Sequence, residues 1–286
     1  MTHDADSQER RTWHYGLIAR WWAEFNRDGD DIAYFRRLIE RGGQPALDLC
    51  CGAGRLLLPY RRAGLDVDGC DVSADMIAQC REGALKEGLD IPLHVQAIHE
   101  LALPRRYRTI VICGSFGIGG TRREDLEGLR RVHEHLLPGG LLAFDLFLPN
   151  FDRRSWHAWL TENRRELPMP WPERSDRRQT ADGSEIELRG RVLDFDPLNQ
   201  VVTRQLRAEH WREGELIGRE EGSLSINIYF KSEVVLMLQA TGFDDIEVKA
   251  GLTDEDARPW EHSHLVFIAR KSAGVRSSSR SPAIRA

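Results

Sequence analysis

The feature that most constrains this chain is a rhythm between residues 45 and 148, where short apolar strands alternate with amphipathic helices. Pro45-Ala-Leu-Asp-Leu-Cys reads as a buried strand, Arg55–Ala63 as a helix closed by Gly64, and Leu65-Asp-Val-Asp-Gly-Cys-Asp as a second strand. Ser73–Gly83 follows as a helix with an N-cap serine. Ile91–Gln96 and Thr109–Cys113 are a third and a fourth strand, and Arg122–Leu137 a helix stopped by Pro138-Gly139-Gly140 before a fifth strand at Leu141–Leu148. Such alternation predicts a mostly parallel sheet with helices on both faces.

The rhythm breaks at Pro149. Three long strand-like runs, Ser184–Asp194, Gln200–Arg212 and Glu215–Phe230, carry alternating apolar and charged residues, so an antiparallel sheet with one wet face is expected over 150–230. A helix at Ser232–Thr241 and strands at Phe243–Val248 and His264–Arg270 then resume the first pattern. Ahead of it all, residues 12–41 are helical. Trp13, Leu17, Trp21 and Phe25 recur on one face, and Gly29 separates this run from a second one. Residues 1–11 and 272–286 have few apolar anchors and read as disordered tails.

The sharpest local signal is Leu47-Asp-Leu-Cys-Cys-Gly-Ala-Gly-Arg55, a strand running into a glycine turn and then a helix. Gly52 and Gly54 let the backbone approach a ligand, and the helix start suits an anionic group. A dinucleotide fingerprint fails because Leu57 stands where its third glycine belongs, and a phosphate loop fails because no Gly-Lys-Ser/Thr follows. Asp71 closes the second strand, where a carboxylate can take both hydroxyls of a ribose.

These residues, with Val67-Asp-Gly-Cys-Asp-Val-Ser, Leu136-Leu-Pro-Gly-Gly-Leu-Leu and Thr241-Gly-Phe-Asp-Asp-Ile-Glu-Val, resemble the class I S-adenosylmethionine-dependent methyltransferases of small-molecule type. The resemblance covers about residues 45–150 and 231–271. It implies a Rossmann-like sheet carrying an antiparallel β insertion after the fifth strand, with a cofactor-binding domain at 12–149 plus 231–271 (12–41 a helical lid) and a substrate-binding insertion at 150–230. It departs from the family at Cys50, where a glycine is usual. It further implies that Asp48, Cys50, Gly52, Gly54 and Arg55 surround the methionine part of S-adenosyl-L-methionine. Asp71 would hold the ribose, Val72, Met76, Ala97 and Ile98 the adenine, and Cys113 and Gly114 the neighbourhood of the sulfonium. Tyr15 and Trp22 resemble the aromatic pair that closes over the cofactor in small-molecule N-methyltransferases. For Trp21 and Phe25 ordinary core packing is the plainer reading.

Methyl transfer needs alignment more than a strong base, and Tyr15, Asp145 and His210 are the candidate catalytic residues. The acceptor pocket is expected in the insertion, among Trp156, Trp159, Trp171 and Trp211. His262 and His264 lack a third local ligand, so no metal is expected. Ile112-Cys113-Gly114-Ser115 lacks the proline that accompanies the cysteine nucleophile of base-methylating enzymes. A net charge of −5 also disfavours a nucleic-acid partner, although Arg153-Arg154, Arg164-Arg165 and Arg177-Arg178 keep an RNA- or protein-directed methyltransferase open. A cofactor-binding module without catalysis is the third reading. Five cysteines without framework spacing, no apolar run near the roughly 18 residues of a membrane span and a polar start point to a reduced, cytoplasmic protein, possible as a homodimer.

Overall fold

The computed structural model describes residues 12–148, 159–160, 162, 166–259 and 261–273. The expected disordered ends, Trp156 and the Arg153-Arg154 and Arg164-Arg165 pairs lie outside the described residues, apart from Ser272 and Ala273.

Two helices come first among the described residues, α1 (Gly16–Phe25) and α2 (Asp30–Gly42). Then come β1 (Ala46–Leu49), α3 (Leu57–Arg62), β2 (Val67–Asp71), α4 (Ala74–Lys86), β3 (Leu93–Val95), β4 (Tyr107–Ile112), α5 (Arg122–His135) and β5 (Leu136–Phe147). The second half holds β6 (Asp176–Gln179), β7 (Glu185–Asp196), β8 (Val201–Arg212), β9 (Glu215–Asn227), α6 (Lys231–Ala240), β10 (Phe243–Ala250) and β11 (His264–Lys271).

Seven strands form one sheet in the order β3-β2-β1-β4-β5-β11-β10. The β1–β5 strands are parallel, and β11 runs antiparallel between β5 and β10. All four residues of β1 are buried, as a central parallel strand covered on both faces requires. Leu47, Ile110, Phe144 and Phe267 meet Leu129 and Val132 of α5 and Val234 and Leu238 of α6 on one face. Ala46, Val111 and Ala143 meet α2, α3 and α4 through Phe35, Leu57, Tyr60 and Ile77 on the other. Reversal of the strand order beside β1 leaves a crevice at the carboxyl ends of β1 and β4, where open α/β sheets bind their ligands.

The second sheet, β6-β7-β8-β9, is antiparallel throughout. It has four strands where three were expected. Asp176–Gln179 has no apolar face to betray a strand, and only pairing with Glu185–Leu188 makes it one. A third, small core joins this sheet to α1 through Ile18, Trp21, Ile186 and Ala208.

Two expectations need correction. The 12–41 segment is not one lid: α1 packs on the second sheet, whereas Phe35, Leu38 and Ile39 of α2 are core of the first. The periodicity was the same in both helices, and the partner differs. Pro138-Gly139-Gly140 lies inside β5 rather than before it, because a left-handed Gly139 (φ 74°) lets the chain pass from α5 into the strand with a register shift against Tyr107–Thr109.

Candidate active site

The site is built on the turn after β1. Cys50 (φ 65°), Gly52 (φ 55°) and Gly54 (φ 88°) all adopt the left-handed conformation. That is why glycine is favoured at position 50, where a cysteine bears a steric cost of about 1–2 kcal/mol. The turn is fastened to the end of β2. Gly52 N–H donates to Asp71 Oδ2 (2.9 Å), Ser73 N–H to Asp71 Oδ1 (2.8 Å), and Cys51 N–H to the Cys70 carbonyl (3.0 Å). Burial raises the Asp71 carboxyl above its usual range, with the N–H groups of Ser73, Gly52 and Val72 opposing the shift. With about four lone-pair sites on its two oxygens, the carboxylate can still accept from further hydroxyls.

Beneath the turn, Asp48 is 2% exposed, and its Oδ2 has no hydrogen-bond partner among the described residues. Desolvation pushes its carboxyl up to about 7, against the attraction of Arg55. Arg55 itself is committed, donating from both terminal nitrogens to the two oxygens of Asp31 at 2.6 Å each. Cys113 Sγ also donates to Asp31 (3.1 Å), and burial pushes its thiol up.

These groups surround a cavity of about 300 Å³. Its cover comes from the start of the chain: Thr12, Trp13, His14, Trp22 and Asn26. His14 stacks on Trp22 with ring centroids 5.7 Å apart. Its Nε2 accepts from Trp13 Nε1 (3.3 Å), and its Nδ1 pairs with Thr12 Oγ1 (2.9 Å). Burial lowers the imidazole to about 4, so His14 is neutral near pH 7. The cover is tied to both bodies. Ser73 Oγ donates to the His14 carbonyl, Gly16 N–H to Asp75 (2.7 Å), and Leu17 N–H to Glu220 of β9 (2.7 Å).

Of the residues nominated from sequence, Asp48, Cys50, Gly52, Arg55 and Asp71 line this cavity, as do Trp22, Val72, Met76, Cys113 and Gly114. Ala97 and Ile98 line an adjoining lobe of about 60 Å³ that shares Cys50 and Val72 with it. Gly54 does not line it. A Cβ there would stand 2.7 Å from Cys80 Sγ and 2.9 Å from Leu58 Cγ, so this glycine serves the packing of α3 on α4. Tyr15 stands at the N-cap of α1 outside the lining, and its carbonyl accepts from Ile18 and Ala19 N–H. Asp145 is buried under the floor, accepting from Gly114 N–H (2.7 Å) and from His264 Nε2 (2.8 Å). His210 lies on the second sheet against Ser184 Oγ (2.8 Å), away from the lining. The sequence reading missed Thr12, Trp13, His14, Asn26, Ser115 and Ile118. The first four reach the cavity only because α1 docks on a distant sheet, and no spacing signals that.

The arrangement offers a carboxylate for a diol, a buried unpaired carboxylate for a cationic group, and an aromatic cover that excludes water. Residues 46–140 match the family model described as a methyltransferase domain. A dTDP-3-amino-3,6-dideoxy-alpha-D-glucopyranose N,N-dimethyltransferase of Streptomyces fradiae is 27% identical over 123 residues, 43% of this chain and 47% of that one. The chain spans about half the length of the first curated relatives it matches. Among solved structures, the CcbJ methyltransferase of Streptomyces caelestis superposes with a TM-score of 0.67 at 19% identity, over 92% of this chain and 100% of that one. A sugar N-methyltransferase of Streptoalloteichus gives 0.64 at 16% identity, over 91% and 97%. Residues 46–140 thus match a methyltransferase domain, and the chain as a whole has the fold of the methyltransferases among the solved structures, S-adenosylmethionine-dependent ones included.

Proposed function

We propose that the protein transfers a methyl group from S-adenosylmethionine to a nitrogen or oxygen of a small-molecule acceptor. The observation that carries the reading is the pairing, in one cavity, of Asp71 at the end of β2 with the unpartnered Asp48 Oδ2 at the end of β1. The two carboxylates suit the two polar ends of that cofactor, a ribose diol and an α-ammonium group. Asp48 and the Cys50–Gly52 turn would hold the amino-acid end, Asp71 the ribose, and Val72 and Met76 the base. When bound, the cofactor supplies a methyl group already activated on a sulfonium. This chain's part is then to align the acceptor and exclude water. Trp13, His14 and Trp22 form the water-excluding cover, and neutral His14 adds no positive charge beside the cation.

An amino-sugar acceptor, with a place in secondary metabolism, belongs to the same proposal. It is supported by the likeness to enzymes named for such substrates, in sequence over 43% of the chain and in fold over 91% of it. The second sheet, standing behind α1, would then shape the acceptor side. Asp145 is held by Gly114 and His264, so alignment rather than a dedicated base is the reading for this residue. RNA as acceptor gains little from the described arginine pair, since Arg177 is held by Glu185 and Arg178 by Asp176.

Calorimetric titration with S-adenosylhomocysteine tests the cavity, and transfer of labelled methyl to a panel of amino sugars and phenols tests turnover. Asp71→Ala is expected to weaken binding roughly 100-fold, the equivalent of two charge-assisted hydrogen bonds. Binding that survives this change intact would remove the ribose assignment. Binding without transfer to any acceptor would leave the non-catalytic module as the better reading.

A further inference from the structure

The small lobe beside the main cavity poses a recognition problem that the family motif does not answer. Ala97 and Ile98, the first residues after β3, offer no side-chain hydrogen bond. The other polar groups of the lobe are largely engaged. Gln96 Oε1 accepts from Ala102 N–H (2.9 Å), Ser115 Oγ donates to the Cys113 carbonyl (3.1 Å), and Glu124 Oε2 accepts from Thr121 N–H (2.8 Å) and Oγ1 (3.0 Å) while its Oε1 faces His99 (3.5 Å).

Asp125, in the first turn of α5, is different. It is 9% exposed and lines the lobe. Its Oδ2 carries two donors, Tyr229 Oη (2.6 Å) and Asn227 Nδ2 (2.7 Å), which fix the carboxylate from the side of the second sheet. Its Oδ1 takes no hydrogen bond among the described residues and stands 3.4 Å from where a Cβ on Gly120, another lobe residue, would be. No arginine or lysine among the described residues forms an ion pair with it; Arg122 is turned to Glu233 instead. A rigid, buried acceptor with one free oxygen is matched to a neutral N–H donor rather than to water or a cation.

Resting on the proposed cofactor, we propose that Asp125 Oδ1 accepts from the exocyclic amino group of the adenine, making Asp125 the base-specificity residue of this chain. An inosine base puts a carbonyl oxygen at that place, against the carboxylate. A site built around one hydrogen bond rejects the analogue that lacks it far more strongly than apolar walls do.

The test compares S-adenosylhomocysteine with its deaminated analogue, S-inosylhomocysteine, by calorimetry on the unaltered chain, Asp125→Asn, Gly120→Ala and Tyr229→Phe. The unaltered chain is expected to prefer the adenosyl compound by roughly tenfold or more. Asp125→Asn, whose amide can present either a donor or an acceptor, loses most of that preference. Gly120→Ala screens Oδ1 with a methyl group and shrinks the preference in the same direction, a second reading if Asp125→Asn does not fold. Tyr229→Phe removes a support of Oδ2 only, so it lowers the melting temperature and keeps the preference. An undiminished preference in folded Asp125→Asn, or in Gly120→Ala, overturns the assignment of Asp125 while leaving the cofactor reading in place. A preference lost equally in Tyr229→Phe overturns it too, since the role is then structural. Failure of the unaltered chain to bind either compound overturns the cofactor reading, and this proposal with it.

Discussion

The two sheets are built on opposite terms. The seven-stranded sheet hides both faces, and its chemistry sits at one edge, on backbone turns whose dihedral angles only a few residue types tolerate. The four-stranded sheet buries one face against α1. The other face is a lattice of paired charges, Arg177 with Glu185, Arg189 with Glu187 and Arg207 with Glu221. One sheet is constrained by its turns and the other by its partner. The comparison teaches that the cover of the cavity belongs to the second sheet as much as to the first, because α1 has its apolar core there.

Breaking that link gives the largest expected effect. Ile186 is fully buried between β7 and α1, and Ile186→Ala should cost about 2–4 kcal/mol in denaturant unfolding. It should also raise the Kd for S-adenosylhomocysteine in proportion to the chains whose cover is displaced. An unchanged Kd would make the second sheet a passive insertion.

The next effect sharpens the role of the first sheet's edge. Native Asp48 keeps its proton up to about pH 7, whereas the unfolded chain releases it near pH 4. The native state therefore binds more protons across that window, and this residue's contribution to stability declines as pH rises through it. Asp48→Asn removes the burden, so at pH 8 it should be the more stable protein by up to about 4 kcal/mol, with the gap closing toward pH 4. The same change should abolish the response to an ammonium ligand. A stability gap that does not vary with pH would refute the buried-carboxylate account.

The smallest effect separates geometry from chemistry within the turn. Cys50→Gly relieves a left-handed cysteine and should raise stability by up to about 1 kcal/mol in thermal melts, after the flexibility that glycine adds to the unfolded chain. On the other sheet, His210→Ala should leave the Kd for S-adenosylhomocysteine unaltered, because its ring faces Ser184. A clear loss of stability in the first, or of binding in the second, would count against the contrast.

Much of this was legible in the sequence for identifiable reasons. A buried parallel strand is mostly apolar, so Pro45-Ala-Leu-Asp-Leu-Cys reads as a strand, and β1 lies within it. A left-handed turn needs glycines, so Gly52 and Gly54 marked it. Yet spacing could not tell that Gly52 faces the cavity while Gly54 faces Cys80, since both have the same backbone reason to be glycine. Nor could it find β6, whose residues are nearly all charged or polar, or foresee that Arg55 would be spent on Asp31.

The local code of the chain settled what depends on local physics: the strand–helix alternation, the glycine turn, the carboxylate at 71 and the Ser73 cap. Tertiary structure alone decided which helix closes the cavity, why His14 is neutral, and that Asp125 is anchored by Asn227 and Tyr229 from about one hundred residues away. Those properties come from desolvation and long-range docking. They belong to the space between elements, and no stretch of neighbouring residues encodes them.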